Sequence, residues 1–457
     1  MNRVASRSSI ALLLALVLMG GMLLFLGEFA LSAGDWVIFE GNPHVYNGIN
    51  IGCGTITDRS GELLLDSTGK RAYSTDAAIR KSTIHWLGDR YGYISAPAVT
   101  EYASQMAGYD LLNGLYGYSG TGGSAQLTIS AEVQKAALDA LGKKKGTVAV
   151  YNYKTGEILC AVSTPSYDPD NVPDIQGNPD KYEGVYLNRF TQTTYVPGSV
   201  FKLVTTAAAL DTLKNAESIE FRCESVLEMS GGKIKCTGEH GTINLKTALQ
   251  KSCNCYFAQL TEVLGAETLQ RYVKKYQITE PVRFDGITTA KGSFSVEGAS
   301  IQQTAWAGIG QHLDLVNPCR YMTFMGVIAG GGEAAEPYIV ASAGSGDLGG
   351  YKASRTSTGR LMDGDTAEAL AALMRNNVKK QYGDDNFPGM TICAKSGTAE
   401  VGGDQKPNAT FAGFCSDEEY PIAFMVVVED AGSGAKTCVP ILSKVLKACK
   451  VVLDREA

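Results

Sequence analysis

The sequence predicts an α+β fold, an antiparallel sheet flanked by helices. Three observations predict it. Two β-branched, aromatic-rich segments, "TVAVYNY" and "EILCAVS", follow one another at 147–163. Helical patterns dominate from 199 to about 330. The chain then returns to strands in "MTICAKSGTAE", "NATFAGFC" and "YPIAFMVVVED", and an amphipathic helix, "PILSKVLKACKVVLD", closes it.

Length and composition bound the rest. The 457 residues allow about two or three domains and a sizeable core. With 44% hydrophobic and 19% charged residues the chain is of ordinary globular type. A net charge of −6 with no basic stripe argues against nucleic-acid binding.

The N-terminus departs from that composition. "IALLLALVLMGGMLLFLG", residues 10–27, carries no charge, follows Arg3 and Arg7, and ends at Glu28. About 18–22 apolar residues suffice to cross a bilayer. Residues 10–31 are therefore read as a transmembrane anchor and 1–9 as a cytoplasmic tail, since arginines mark the cytoplasmic side. A cleaved secretory signal ending in the small residues of "ALSAG" is the alternative. Either way, the remaining residues lie outside the cytoplasm, at the cell membrane.

Eleven cysteines sit awkwardly with that destination. An odd count leaves at least one thiol without an intrachain partner. Cys223 and Cys236 flank a turn-like "EMSGGKIK" and are spaced for a bridge worth about 3 kcal/mol. Several free thiols would point to a weakly oxidising habitat. No Cys-x-x-Cys pair exists and the four histidines show no metal-ligand spacing, so no metal site is expected.

Residues 35–120 form a first module of short apolar stretches, with one helical pattern in "APAVTEYASQMAGYDLL". The Gly/Ser-rich "YSGTGGSAQ" at 118–126 reads as a linker, and the main domain runs over 126–457. It opens on a helix that Ser130 caps. Between the first two strands lies Lys154-Thr155-Gly156, where Gly156 supplies a hairpin turn. The Pro/Asp/Asn-rich stretch 164–184 is loop, and "ASAGSGDLGGYKASRTSTG" at 341–359 reads as a second, flexible one.

Three short motifs carry chemistry. Ser199 opens a helical run after Pro197 and Gly198, with Lys202 three residues later on the same face. A serine needs a nearby base, and a lysine with a depressed pKa can be one. The helix start adds N–H groups and a positive field for an oxyanion. Four Ser-x-x-Lys boxes occur, at Ser67, Ser199, Ser230 and Ser433; the other three contain glycine and read as turns. Ser252-Cys253-Asn254 is the one Ser-x-Asn, inside a helical pattern or a turn between helices, where capping is the plainer explanation. Lys395-Ser396-Gly397-Thr398 lies in a strand; Gly397 leaves room for a substrate backbone and Lys395 offers a cation to a carboxylate. Lys154-Thr155-Gly156 has the tripeptide but precedes the serine, so the order rejects it.

In that order, "PGSVFK", "SCN" and "KSGT" resemble the three boxes of penicillin-binding transpeptidases and serine β-lactamases. The likeness extends to "GTITDRSGELL" at 54–64, similar to the membrane-proximal motif of class B penicillin-binding proteins. It also includes "LTISAEVQKAALDAL", "GTVAVYNYKTGEILCAVSTPSYDPD", "EHGTINLKTALQKSCNCYF" and "AGIGQHLDLVNPCRYMTFMGVIAGGG". It covers most of 45–435, in the short monofunctional layout often called penicillin-binding protein A. There are departures: Cys53 stands where the family usually has Arg, and Thr410 where it often has an aromatic.

The resemblance implies the penicillin-binding transpeptidase fold with a small N-terminal pedestal, dimerisation-like module at 35–120. It implies that Ser199 attacks the penultimate D-alanyl carbonyl of a peptidoglycan stem peptide while Lys202 takes its proton. Ser252 would pass a proton to the leaving D-alanine with support from Lys395, and Asn254 would orient the acyl amide. Ser396 and Lys395 would hold the terminal carboxylate across Gly397, and the Ser199 and Thr398 N–H groups would form the oxyanion hole. β-Lactams would be inhibitors, a membrane glycosyltransferase of the SEDS type a partner, and no cofactor is implied. The nearest rivals are a D,D-carboxypeptidase or a class D-like β-lactamase, in which water resolves the acyl-enzyme. A non-catalytic penicillin sensor or scaffold is the rival of another class.

Overall fold

The computed structural model describes residues 2–68, 71–116, 122–345, 350–387, 389–402 and 406–456. Lys70 of the Ser67 box, residues 118–121 of the expected linker and 346–349 of the expected loop lie outside them.

Helix α1 (Asn2–Val37) is one continuous element that includes the expected anchor at 10–31 and residues 2–9 before it. Its apolar side chains are exposed, and by length and composition it can cross a membrane. The chain then forms β1 (Thr55–Thr57), β2 (Leu63–Asp66) and β3 (Ala72–Tyr73), followed by α2 (Ala77–Leu87). Asp76 caps α2 by accepting from the Ala78 N–H at 2.7 Å. The helical pattern expected over 96–112 is broken into two single turns, Pro97–Thr100 and Ala103–Ala107.

Strand β4 (Ser124–Leu127) occupies the end of the expected linker. Helix α3 (Ala131–Leu141) follows with Ser130 as its cap, then the hairpin β5 (Gly146–Asn152) and β6 (Ile158–Thr164). Gly156, at φ 93°, makes the turn between them and confirms the structural role of Lys154-Thr155-Gly156. After α4 (Lys202–Thr212) comes a long hairpin, β7 (Glu220–Met229) and β8 (Gly232–Asn244), where helix was expected to dominate. Helices α5 (Leu245–Lys251), α6 (Asn254–Leu264) and α7 (Pro318–Ala329) lead to β9 (Val340–Gly344) and β10 (Tyr351–Lys352). These last two are paired, so 341–359 is in part a hairpin and not wholly loop. Helix α8 (Gly364–Asn377), strands β11 (Ile392–Ala399), β12 (Asn408–Cys415) and β13 (Ile422–Val428), and α9 (Gly434–Glu456) complete the chain.

Two sheets organise these elements. The main sheet has five strands in the order β11-β12-β13-β5-β6, all antiparallel, as expected. Its two faces are both covered. Val148, Val150, Phe411 and Val426 pack with Val133 and Ala137 of α3 and Leu442 and Leu446 of α9. Their neighbours in sequence, Ala149, Tyr151, Ala412 and Val427, pack on the other side with Met322 and Met325 of α7 and Leu203 of α4. Alternation sends successive side chains to opposite layers, and burying both faces makes the strands apolar throughout. Strand β11 is an edge strand of this sheet.

The second sheet runs β10-β9-β4-β1-β2-β3. It joins strands of the first module to β4, β9 and β10 of the main domain, so the boundary at 120–126 separates no sheet. Arg80 of α2 adds a buried tie across that boundary: Nε and one terminal nitrogen each donate to Asp168 at 2.7 Å.

Candidate active site

Ser199 sits on a single 3-10 turn, Gly198–Phe201, that runs directly into α4. The turn is fastened from several sides. The Gly198 N–H donates to Gly310 O at 2.9 Å, Tyr321 Oη donates to Val200 O at 2.7 Å, and Thr410 Oγ1 donates to Pro197 O at 3.2 Å. Thr410, which departs from the expected aromatic, thus ties β12 to this turn. Gly198 has φ +59°, and a Cβ there would lie 2.8 Å from Thr398 O, so glycine is required on both counts.

Strand β11 packs closely along this turn. A Cβ on Gly397 would lie 2.9 Å from Pro197 O and 3.1 Å from Val200 N. The Ser396 N–H points out of the sheet edge to Tyr382 Oη at 2.8 Å. Two residues on, Thr398 therefore turns its N–H to the same open edge, beside Ser199.

The third motif is a turn, as one of the two sequence alternatives had it. Ser252 ends α5 in the left-handed region at φ 53°, and Cys253 caps α6. Both lysines converge here. Lys202 Nζ donates to Ser252 O at 2.7 Å, to Ser252 Oγ at 3.2 Å and to Asn254 Oδ1 at 2.7 Å. Lys395 Nζ donates to the same Ser252 Oγ at 3.0 Å and to Ser396 O at 2.6 Å. A hydroxyl has two acceptor sites and one proton, so Ser252 serves both amines and keeps its own proton to donate.

Both lysines are fully buried, which disfavours their charged forms. Burial pulls Lys202 down to about 7, against an opposing influence from the thiols of Cys236, Cys253 and Cys255. Lys395 is driven well below its ordinary range by burial first and then by the Lys202 cation. Two amines sharing one oxygen in a dry pocket cannot both hold a charge cheaply. The site therefore favours one neutral amine near neutral pH.

All eight residues singled out from the sequence meet at this junction of α4, the Ser252 turn and β11. They are not all bonded to one another. Among the described residues the Ser199 hydroxyl has no hydrogen-bond partner, and Lys202 is engaged with Ser252 and Asn254 instead. Thr398 turns its hydroxyl toward α9, accepting from the Gly434 N–H at 3.3 Å.

Sequence reasoning missed Tyr382, whose hydroxyl also donates to Ser396 Oγ at 2.9 Å. One tyrosine among 22, standing 14 residues before its partner, gives no local signal. Of the rejected boxes, Ser230 does lie in the turn between β7 and β8, but Ser433 directly precedes α9 and is exposed. The expected Cys223–Cys236 bridge is absent: all eleven cysteines are free thiols. Against the expectation of no metal site, Cys223, Cys236, His240 and Cys253 gather their ligand atoms within 4.8 Å of one another.

The chain matches the family model described as the penicillin binding protein transpeptidase domain over residues 146–447. It is 30% identical over 362 residues to the peptidoglycan D,D-transpeptidase PbpA of Mycobacterium tuberculosis, covering 72% of each chain. It is 25% identical over 400 residues to stage V sporulation protein D of Bacillus subtilis, covering 82% of this chain and 58% of that one. A solved structure of M. tuberculosis penicillin-binding protein A, a ceftriaxone acyl-enzyme complex, superposes with a TM-score of 0.75 at 26% identity. The superposition covers 87% of this chain and 98% of that one.

Proposed function

Because this chain belongs to the penicillin-binding protein transpeptidase family, we propose that it is a peptidoglycan D,D-transpeptidase acting through a Ser199 acyl-enzyme. The observation that carries this reading is the sharing of Ser252 Oγ by Lys202 and Lys395. It links the amine that follows the nucleophile on its helix to the amine beside the carboxylate site through a single hydroxyl.

The donor stem peptide lies along the open edge of β11, its backbone passing over Gly397. Its terminal carboxylate faces Lys395 and Ser396, and its acyl amide faces Asn254. Ser199 Oγ attacks the penultimate D-alanyl carbonyl and gives its proton to Lys202, three residues on; catalytic bonds of this kind often form only in the substrate complex. The N–H groups of Ser199 and Thr398 receive the oxyanion, each worth a few kcal/mol. On collapse the C–N bond breaks, and Ser252 passes its proton to the departing D-alanine amine while it is resupplied from a lysine. The ester that remains is resolved by an amine of a second stem peptide, which forms the cross-link. A β-lactam follows the first half of this path and stays attached.

The apolar, unpacked α1 supports membrane anchoring. Arg3 and Arg7 in its first two turns, ahead of the apolar run, support a cytoplasmic N-terminus and an extracytoplasmic catalytic domain. A membrane-embedded glycosyltransferase of the SEDS type is the partner that the family resemblance implies. Residues 35–120 act as the pedestal that lifts the catalytic domain from the bilayer.

The test is product analysis. The full chain in detergent is given a donor stem pentapeptide and an acceptor amine peptide. Cross-linked product with release of one D-alanine per transfer is expected. Release of D-alanine by hydrolysis alone would replace this reading with a carboxypeptidase.

A further inference from the structure

The β7–β8 ladder is regular from its tip to Lys235, then breaks between Lys235, Glu239 and Gly241. A break of this kind re-aims side chains. Here it turns Cys236 and His240 toward Cys223 of the partner strand and toward Cys253 of the turn before α6. His240 Nδ1 lies 3.5 Å from Cys223 Sγ and 3.6 Å from Cys236 Sγ, and Cys236 Sγ lies 3.8 Å from Cys253 Sγ. A disulfide would need sulfurs about 2.0 Å apart. Tetrahedral zinc, with Zn–S about 2.3 Å and Zn–N about 2.0–2.1 Å, sets S···S edges of about 3.8 Å and S···N edges of about 3.6 Å. The three contacts match those edges.

Three thiols and one imidazole are a complete ligand set for a closed structural zinc site. Cys223 and Cys253 are buried, and Cys236 is half-buried. We propose that Cys223, Cys236, His240 and Cys253 bind one zinc(II) ion, which clamps the β7–β8 hairpin to the Ser252-Cys253-Asn254 turn.

The clamp acts where the site is most in need of support. Cys253 stands between Ser252 and Asn254, both of which hold Lys202. Ser252 occupies a left-handed conformation that a non-glycine residue keeps only when its surroundings impose it. Without the ion, the hairpin meets this turn and the start of α6 through Asn254 Nδ2 donating to Lys235 O at 3.0 Å, a longer Cys255 Sγ contact with Ile234 O at 3.9 Å, Gln259 Nε2 donating to Arg222 O at 3.1 Å, and Phe221 against Tyr256. The four ligands are positioning residues. Metal binding is independent of the proposed reaction, whereas its effect on acylation rests on that reading.

The test uses the full chain in detergent, purified without chelator. Elemental mass spectrometry is expected to find one zinc per chain. Cobalt(II) added to the stripped protein is expected to give the intense visible bands of a tetrahedral thiolate site. Cys236→Ser and His240→Ala should each abolish stoichiometric uptake, while Cys255→Ala, beside the cluster, should retain it. Should the ligand variants fail to fold, the wild-type stoichiometry and cobalt spectrum decide. A folded wild-type chain that takes up no zinc and gives only an octahedral cobalt spectrum overturns the proposal. On the same samples, acylation by a fluorescent penicillin should slow about 10-fold or more on metal removal and recover with zinc chloride. Unchanged acylation would overturn the clamp. Metal uptake with no acylation in any state would support the ion site and contradict the transpeptidase reading.

Discussion

Lys395 Nζ and Ser252 Oγ lie 3.0 Å apart although 143 residues separate them in sequence. The same hydroxyl accepts from Lys202 at 3.2 Å. This one oxygen joins the helix that follows the nucleophile to the edge strand, and most of what can be tested depends on it.

The first expectation concerns pH. Lys202 acts as a base only when neutral, and burial lowers its pKa to about 7. The second-order rate of penicillin acylation should therefore rise as pH rises through about 7 and level off above it. Lys202→Arg should remove acylation at every pH, because a guanidinium stays protonated. A wild-type rate flat from pH 6 to 9 would exclude Lys202 as the titrating base.

Ser252→Ala removes the shared hydroxyl and leaves two buried amines without their bridge. Acylation should fall roughly 100-fold or more, the usual scale of lost proton transfer. Circular dichroism should show the fold intact. Comparison of a β-lactam with a peptide donor locates the defect, since a strained lactam depends less on leaving-group protonation and should lose less.

Tyr382→Phe deletes the group that donates to Ser396 Oγ and accepts from the Ser396 N–H. Both Ser396 groups lose a partner, worth about 1–3 kcal/mol together with the desolvation cost. The loss should appear in the affinity phase of acylation, with the limiting rate at saturating drug changed little. A fall confined to the limiting rate would contradict a role in positioning the carboxylate site.

Gly397→Ala places a Cβ 2.2 Å from Thr410 Oγ1 and 2.9 Å from Pro197 O. The strand must move away from the Ser199 turn, at about 1–3 kcal/mol of overpacking. Acylation should collapse along with a lowered melting temperature. Thr410→Ala in the same chain should not restore it, because the backbone contacts remain.

His85 gives a stability expectation away from the site. It is buried, its Nε2 meets Val185 O at 2.8 Å, and its Nδ1 has no partner. Burial, the largest influence, lowers its pKa to about 4. The unfolded chain takes up this proton at ordinary histidine pKa and the folded chain does not, so stability is lost as pH falls from about 6.5 toward 4. The full loss is about 3 kcal/mol. Urea midpoints at pH 7 and 4.5 should differ more for the wild type than for His85→Gln.

How far the sequence carried is visible residue by residue. Ser199, Ser252 and Lys395 were legible because each sits in a short local pattern, and the order of the three patterns did the selecting. The central strands were legible because they are apolar over several residues. The β7–β8 hairpin was not expected, although its signal is present: Phe221, Cys223, Leu227 and Met229 alternate with Glu220, Arg222, Glu224 and Glu228, and Ile234 and Cys236 alternate with Lys233 and Lys235, a period of two amid helical neighbours. Helix α2 was missed because it is buried nearly all round, polar Arg80, Ser82, Thr83 and His85 included, so no apolar stripe marks it. The cysteine cluster escaped for a geometric reason. Cys223, Cys236 and His240 meet through strand pairing and a break in register, and Cys253 arrives from a turn, so short ligand spacings could not reveal it.

Intact mass spectrometry of the chain with a fluorescent penicillin, followed over time and by peptide mapping, tests the Ser199 acyl-enzyme itself. One adduct per chain on Ser199 is expected, stable for many times the acylation half-time, and none on Ser199→Ala. An adduct on another residue, or one lost rapidly with turnover of the drug, would contradict it.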